Sequence, residues 1–195
     1  MPAPRRAAVP LAISILALAA LSGCVPTPTA SPSDTSTASP SDTASASPTP
    51  SPTASLVSVP ITIACSDLIT PDDIYAFNPN FGQIDSWTPK AGSAAATAKS
   101  EQGIACRWSN QTSGDTIDVS VAHLDAASIE ALKNDAVGKS TMVPTYGDEA
   151  YFSVSGGVGT AIVFQGDYWL VATSVEFAEP GDPADLITAA LGTLK

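Results

Sequence analysis

Between residues 59 and 195 the apolar positions switch repeatedly between a helical and an extended period. Ile74 and Phe77 stand three apart behind Thr70-Pro71-Asp72-Asp73. That pattern predicts a short helix over 71–77, capped by Thr70, with proline at its first position and acids in its first turn. Asp125 caps a second predicted helix over 126–137, with Ile129 and Leu132 inward. Asp182-Pro183-Ala184-Asp185 repeats the first device, and Leu186, Ile187, Ala190, Leu191 and Leu194 share one face of the helix it opens. Elsewhere the period falls toward two. Ile104, Cys106 and Trp108 alternate with Ala105 and Arg107, so Arg107 faces away from the cysteine. Ile117, Val119 and Val121 alternate with Asp118 and Ser120, and the polar run from Asn110 to Gly114 turns one strand into the other. Three more strands are predicted over 150–154, 160–165 and 168–177. The glycine-rich 155–159 and the pair Gly166-Asp167 join them as hairpin turns.

The order is helix, two strands, helix, three strands, helix. Hairpin links make the sheet mainly antiparallel, so the expected class is α+β with helices packed on one face. Residues 81–100 read as a surface loop with at most one helical turn at Ala94-Ala95-Ala96.

The first 58 residues follow other rules. Arg5 and Arg6 precede an uncharged apolar run from Ala7 to Leu21, which ends in Leu21-Ser22-Gly23-Cys24. This is the layout of an export signal. The run is shorter than the roughly 20 residues that span a bilayer, and Pro10 sits inside it. The last four residues resemble the lipobox of bacterial lipoprotein precursors, in which the cysteine thiol takes a diacylglycerol and becomes the first residue of the mature chain. The resemblance implies a leader over 1–23, lipidation at Cys24 and a place on the outer face of the cytoplasmic membrane. Two acyl chains suffice for stable anchoring where one is marginal. From Val25 to Ser58 the chain is almost entirely Ser, Thr, Pro and Ala. Such a stretch cannot offset its ordering entropy by burial and reads as a disordered, partly polyproline-II linker. Its reach is roughly 30 Å as a flexible coil and roughly 100 Å extended. Its Ser/Thr/Pro density also suits O-glycosylation.

Charge narrows the list of partners. Arg5 and Arg6 take two of the eight basic residues, and Asp34 and Asp42 two of the nineteen acidic ones. The domain over 59–195 therefore carries six against seventeen, a net charge of −11. Nucleic-acid binding needs a basic patch and is disfavoured. The expected partners are the membrane, through Cys24, and an envelope ligand or protein; the domain is expected to be a monomer. After Cys24 two cysteines remain, Cys65 and Cys106. An exported domain pairs them, and closing a loop of about 42 residues stabilises the fold by roughly 4 kcal/mol in the chain-entropy picture.

Cys65 before a capped helix, Cys106-Arg107-Trp108 some forty residues later, a glycine-rich hairpin and a final helix form a further likeness. Together they resemble the small lipoprotein domains of unknown function common in high-GC Gram-positive envelopes. Some of these adopt an α+β fold of the PsbP/Mog1 type. The resemblance implies architecture and location and carries no functional residue across.

The sequence offers little catalytic chemistry. His123 is the single histidine, and no Gly-x-Ser-x-Gly elbow exists to present a serine to it. The glycines at 156, 157 and 159 lack the Lys-Ser/Thr of a phosphate loop. Asp148 and Glu149 are adjacent and expected to point to opposite sides. Glu179, Asp182 and Asp185 match no calcium loop, and the last two are expected to serve the helix start. No catalytic residue, metal ligand or cofactor is expected. The candidates for ligand contact are Trp87 in a polar loop segment, Phe81 upstream of it, and Tyr146 in Pro144-Thr145-Tyr146-Gly147. Aromatics on loops either anchor a ligand or close over the sheet as core, and both placements stay open. Replacing the lipobox thiol, Cys24→Ala, should move the protein from the membrane to the soluble fraction on fractionation; continued membrane association would refute the anchor.

Overall fold

The computed structural model describes residues 55–194. The leader, Cys24 and most of the linker lie outside the described residues. The described chain is α+β, as its periodicity predicts. It runs β1 (Ser58–Val59), α1 (Cys65–Leu68), α2 (Pro71–Phe77), β2 (Phe81–Gln83), α3 (Ala94–Ser100), β3 (Ile104–Asn110), β4 (Thr116–Leu124), α4 (Ala126–Val137), β5 (Thr141–Met142), β6 (Glu149–Ser155), β7 (Val158–Gln165), β8 (Tyr168–Ser174) and α5 (Ala184–Thr193). The strands form one eight-stranded antiparallel sheet in the order β2-β3-β4-β8-β7-β6-β5. β1 pairs with the end of β4, Ser58 opposite Leu124 and Val59 opposite His123. Leu56 packs on the core from within the sequence-assigned linker, and the Val57 N–H donates to Ser128 Oγ at 2.9 Å.

Local chemistry sets most element boundaries. Thr70 and Asp73 form a capping box: Thr70 Oγ1 accepts from the Asp73 N–H at 3.2 Å, and Asp73 Oδ2 accepts from the Thr70 N–H at 2.9 Å. Asp125 Oδ1 accepts from the Ser128 N–H at 2.8 Å and starts α4. The turn between β6 and β7 needs only Gly156 and Gly157, at φ 59° and 80°. Gly159 serves another purpose. A Cβ there would lie 1.9 Å from the Phe177 carbonyl oxygen, so its missing side chain lets the segment after β8 cross over β7.

The expectation for residues 81–100 changes. Ser93 caps a seven-residue α3 through the Ala96 N–H at 3.2 Å, and Phe81–Gln83 joins the sheet as an edge strand. The alanines that looked like loop filler are good helix formers, and the buried Ala95 and Ala98 allow close approach to the sheet.

Helix placement also differs from a single covered face. α1, α2 and α5 pack on the face carrying Cys106, Trp108, Val119, Val121, Val163 and Leu170. α3 and α4 lie on the other, against Ala122, Leu124, Tyr151, Phe164, Trp169 and Val171. The reason is visible in β8, where Trp169-Leu170-Val171-Ala172 is buried residue after residue. A strand apolar on both faces needs cover on both.

Cys65 and Cys106 are joined, with S–S 2.04 Å, and the bond ties α1 to β3. Reduction is expected to lower the thermal midpoint by about 10–20 °C, from the roughly 4 kcal/mol of loop entropy released. An unchanged midpoint with two free thiols by mass would contradict a stabilising role.

Candidate functional site

An open concavity lies at the β5 end of the sheet. β5 is a short edge strand: Thr141 pairs with Phe152 and Met142 with Tyr151, the Val143 N–H donates to the Ala150 carbonyl at 2.8 Å, and Pro144 follows. Proline has no N–H to continue the ladder. Phe152 and Val154 project from β6 on the face that α5 covers nearer the sheet centre. The burial contrast between them, 6 % exposed against 51 %, marks where that cover stops. The segment after β8 forms the opposite wall, through Ala178 and Pro180. Between the two walls lies an open groove of about 600 Å³. Its lining is mainly apolar and carries no charged side chain.

Two polar devices hold the far wall. Tyr146 is buried at 6 % exposure, and its hydroxyl donates to the Pro180 carbonyl at 3.3 Å. Burial pushes the phenol up to about 12, so it stays a neutral donor through the ordinary pH range. Asp182 Oδ2 accepts from the Ala178 and Glu179 N–H groups, both at 2.8 Å. This corrects the expected role of Asp182. α5 starts after Pro183 without a side-chain cap, and the Asp182 carboxylate closes the loop before it. The side chain thus turns back from the helix to the backbone that precedes it.

A second, smaller cavity of about 270 Å³ opens at the opposite edge of the sheet, between β2 and α3. Trp87 lines it together with Gln83, Asp85, Ser86 and Lys99. The Arg107 guanidinium lies 3.9 Å from the centre of the Trp87 ring. That guanidinium is itself gripped by both Asp118 oxygens, each at 2.6 Å. The Asp118 hydrogen bonds raise the Arg107 pKa above its ordinary value against the opposing effect of burial.

The aromatic candidates are not brought together. Phe81 is buried edge-to-face against Phe77, ring centres 6.1 Å apart, beside a separate crevice under α2. Tyr146 lies beneath the loop that walls the groove, with Trp87 alone at the small cavity. Met142, Val154 and Pro180 were missed by sequence reasoning. The one available signal was the short apolar run Met142-Val143-Pro144, a strand that proline must end.

The remaining candidates have structural partners. His123 stacks on Tyr168 with ring centres 4.7 Å apart. Asp148 Oδ2 accepts from the Gly166 N–H at 2.8 Å. Glu149 turns instead to Tyr151 and to Lys133 Nζ at 3.2 Å. The Tyr151 hydroxyl first, and Lys133 second, hold its carboxyl below the usual range. Among the described residues no group of three or more His, Cys, Asp or Glu is placed to hold a metal ion. Compared with models of known protein families, with curated proteins and with solved structures, the chain matches none of them.

Tyr146→Phe tests the anchor of the groove wall. Losing one hydrogen bond should cost about 1 kcal/mol near neutral pH. A raised phenol pKa means that the native state keeps a proton which the unfolded chain releases near pH 10. Stability from this group is therefore lost as pH rises from about 10 toward 12. Denaturant titrations of wild type and Tyr146→Phe across that window should converge; parallel curves would show that the phenol titrates alike in both states.

Proposed function

We propose that this chain is a lipid-anchored protein of the bacterial envelope whose domain is a non-catalytic binding module for the acyl part of an envelope lipid. Cys24 fixes it to the outer face of the membrane, and the linker over 25–58 sets the distance at which the domain works. The likeness to small high-GC Gram-positive lipoprotein domains belongs to this same reading. The observation that carries it is the groove at the β5 end. At about 600 Å³ it lies within the size range of small-ligand sites. An uncharged, mainly apolar wall favours a ligand portion that gains by leaving water. The Tyr146 and Asp182 hydrogen bonds hold the Ala178–Pro180 wall in place before a ligand arrives, so less ordering is left to oppose binding.

A second reading, docking on another envelope protein, draws support from Met142 and Val154, which are 63 % and 51 % exposed at the same edge. Apolar side chains exposed beside an edge strand also suit a protein surface.

Native mass spectrometry of the full chain purified from its own envelope separates the two readings. An adduct of lipid mass is expected, persisting under mild activation and vanishing after organic extraction. Val154→Asp should reduce its occupancy at least tenfold while leaving the thermal midpoint within a few degrees, because this side chain is exposed. A bare mass in both proteins would sink the lipid reading, and a stoichiometric protein adduct would replace it with docking.

A further inference from the structure

The geometry points to a saccharide subsite in the cavity between β2 and α3, separate from the groove and independent of the reading given to it. The cavity exists because β2 ends early. The Ile84 N–H still reaches the Arg107 carbonyl at 2.8 Å, and the chain then leaves the sheet edge. α3 stands on the other side, and Cys65 and Ala105 close the base with small side chains.

Trp87 is the organising residue. It is half-buried, while Trp108 and Trp169 are core residues at 2 % and 6 % exposure. Its ring stacks on Arg107, and Arg107 is forked to Asp118. The indole is therefore fixed from behind by a cation that is itself fixed. Arg107 does not line the cavity, so the ring meets it and the guanidinium does not. A rigid aromatic surface in a wet, polar cavity has little reason to collapse inward. It is a platform for the C–H face of a ligand that is otherwise hydrophilic.

The polar groups around it are of mixed kind and keep unused donors and acceptors. Gln83 Nε2 donates to Asp85 Oδ1 at 2.9 Å, which leaves the second carboxylate oxygen of Asp85 free to accept. Lys99 takes part in none of the ion pairs among the described residues. Ser86 adds a hydroxyl. One carboxylate and one ammonium leave no net charge to select an ion. Arg107 could have made an anion site, but both Asp118 oxygens occupy it. Donors and acceptors in equal measure beside an aromatic face match a neutral pyranose, whose hydroxyls do both and whose ring carbons stack. The volume of about 270 Å³ suits one ring, with further units projecting into solvent.

The test uses the full chain bearing Cys24→Ala and reads saturation-transfer difference NMR on the sugar protons. The probes are D-glucose, D-galactose, D-mannose and N-acetyl-D-glucosamine, each alone and as a linear tetrasaccharide, with inorganic phosphate as competitor. At least one sugar should receive saturation through its ring C–H protons, with half-saturation in the millimolar range for the single unit. Trp87→Ala should abolish the transfer. Asp85→Ala, which touches only an exposed loop side chain, should weaken it at least tenfold with the thermal midpoint unchanged. A tetrasaccharide that binds tighter than its monomer identifies a glycan chain as the source, and equal affinity identifies a free sugar or chain end. No transfer from any probe at 50 mM, transfer retained in the folded Asp85→Ala protein, or displacement by millimolar phosphate would each overturn the saccharide assignment.

Discussion

Val121 and Ala122 are neighbours on β4, and both are fully buried, one on each face of the sheet. The same holds for Val163 and Phe164 on β7 and for Trp169 through Ala172 on β8. The central strands thus expose apolar surface in two directions at once, and at roughly 25 cal/mol per Å² neither face can be left to water. Five short helices must cover two faces. α1, α2 and α5 take one and α3 and α4 the other, and the cover stops before the sheet does. The groove follows from that shortage, and the small cavity from the early end of β2. The groove lies where the cover that buries Phe152 stops short of Val154, and the small cavity lies where β2 stops beside α3.

The polar contacts are secondary in energy and primary in placement. Lys133 reaches Glu149 and Glu130 at 3.2 and 3.3 Å, and Lys139 reaches Asp135 at 2.6 Å, all partly or largely exposed. Such pairs contribute at most about 1 kcal/mol each, against roughly 1.5–3 kcal/mol for burying one side chain such as Leu170 or Ile187. Arg107 and Asp118 form a better-defined pair, bidentate and on adjacent strands, and its result is local: it holds Trp87. The Tyr146 hydroxyl and the Asp182 carboxylate likewise add little to global stability but determine where Ala178 and Pro180 stand.

The two sites divide by chemistry. The groove lacks charge and is walled by β-strand and proline, which suits a ligand that leaves water. The cavity at Trp87 is polar, charge-balanced and aromatic, which suits one that stays partly hydrated. On the proposed reading, a domain tethered in the envelope would meet both kinds of molecule. On the same reading, the net charge of −11 over 59–195 would act with the tether to keep the domain off anionic surfaces.

Features that depend on a few adjacent residues are legible along the chain. Thr70-Pro71-Asp72-Asp73 and Asp125 start helices, Gly156-Gly157 turns a hairpin, four apolar residues stripe α5 and Leu194 follows at its end, and two cysteines pair in one domain. Each rests on a backbone preference or a contact within about four residues, apart from the disulfide, which two cysteines alone could satisfy. The rest depends on contacts between segments far apart in the chain. Thr70 before Pro71 caps α2 with its side chain, whereas the Asp182 carboxylate before Pro183 turns back to the Ala178 and Glu179 N–H groups. Gly159 looks like part of a turn and proves to be the crossing point for Phe177. Phe81, Trp87 and Tyr146 are equally aromatic and loop-flanked in sequence. They become a core residue, a cavity wall and a buried strut, because exposure depends on how far a helix elsewhere in the chain reaches across the sheet, and no local pattern encodes that distance.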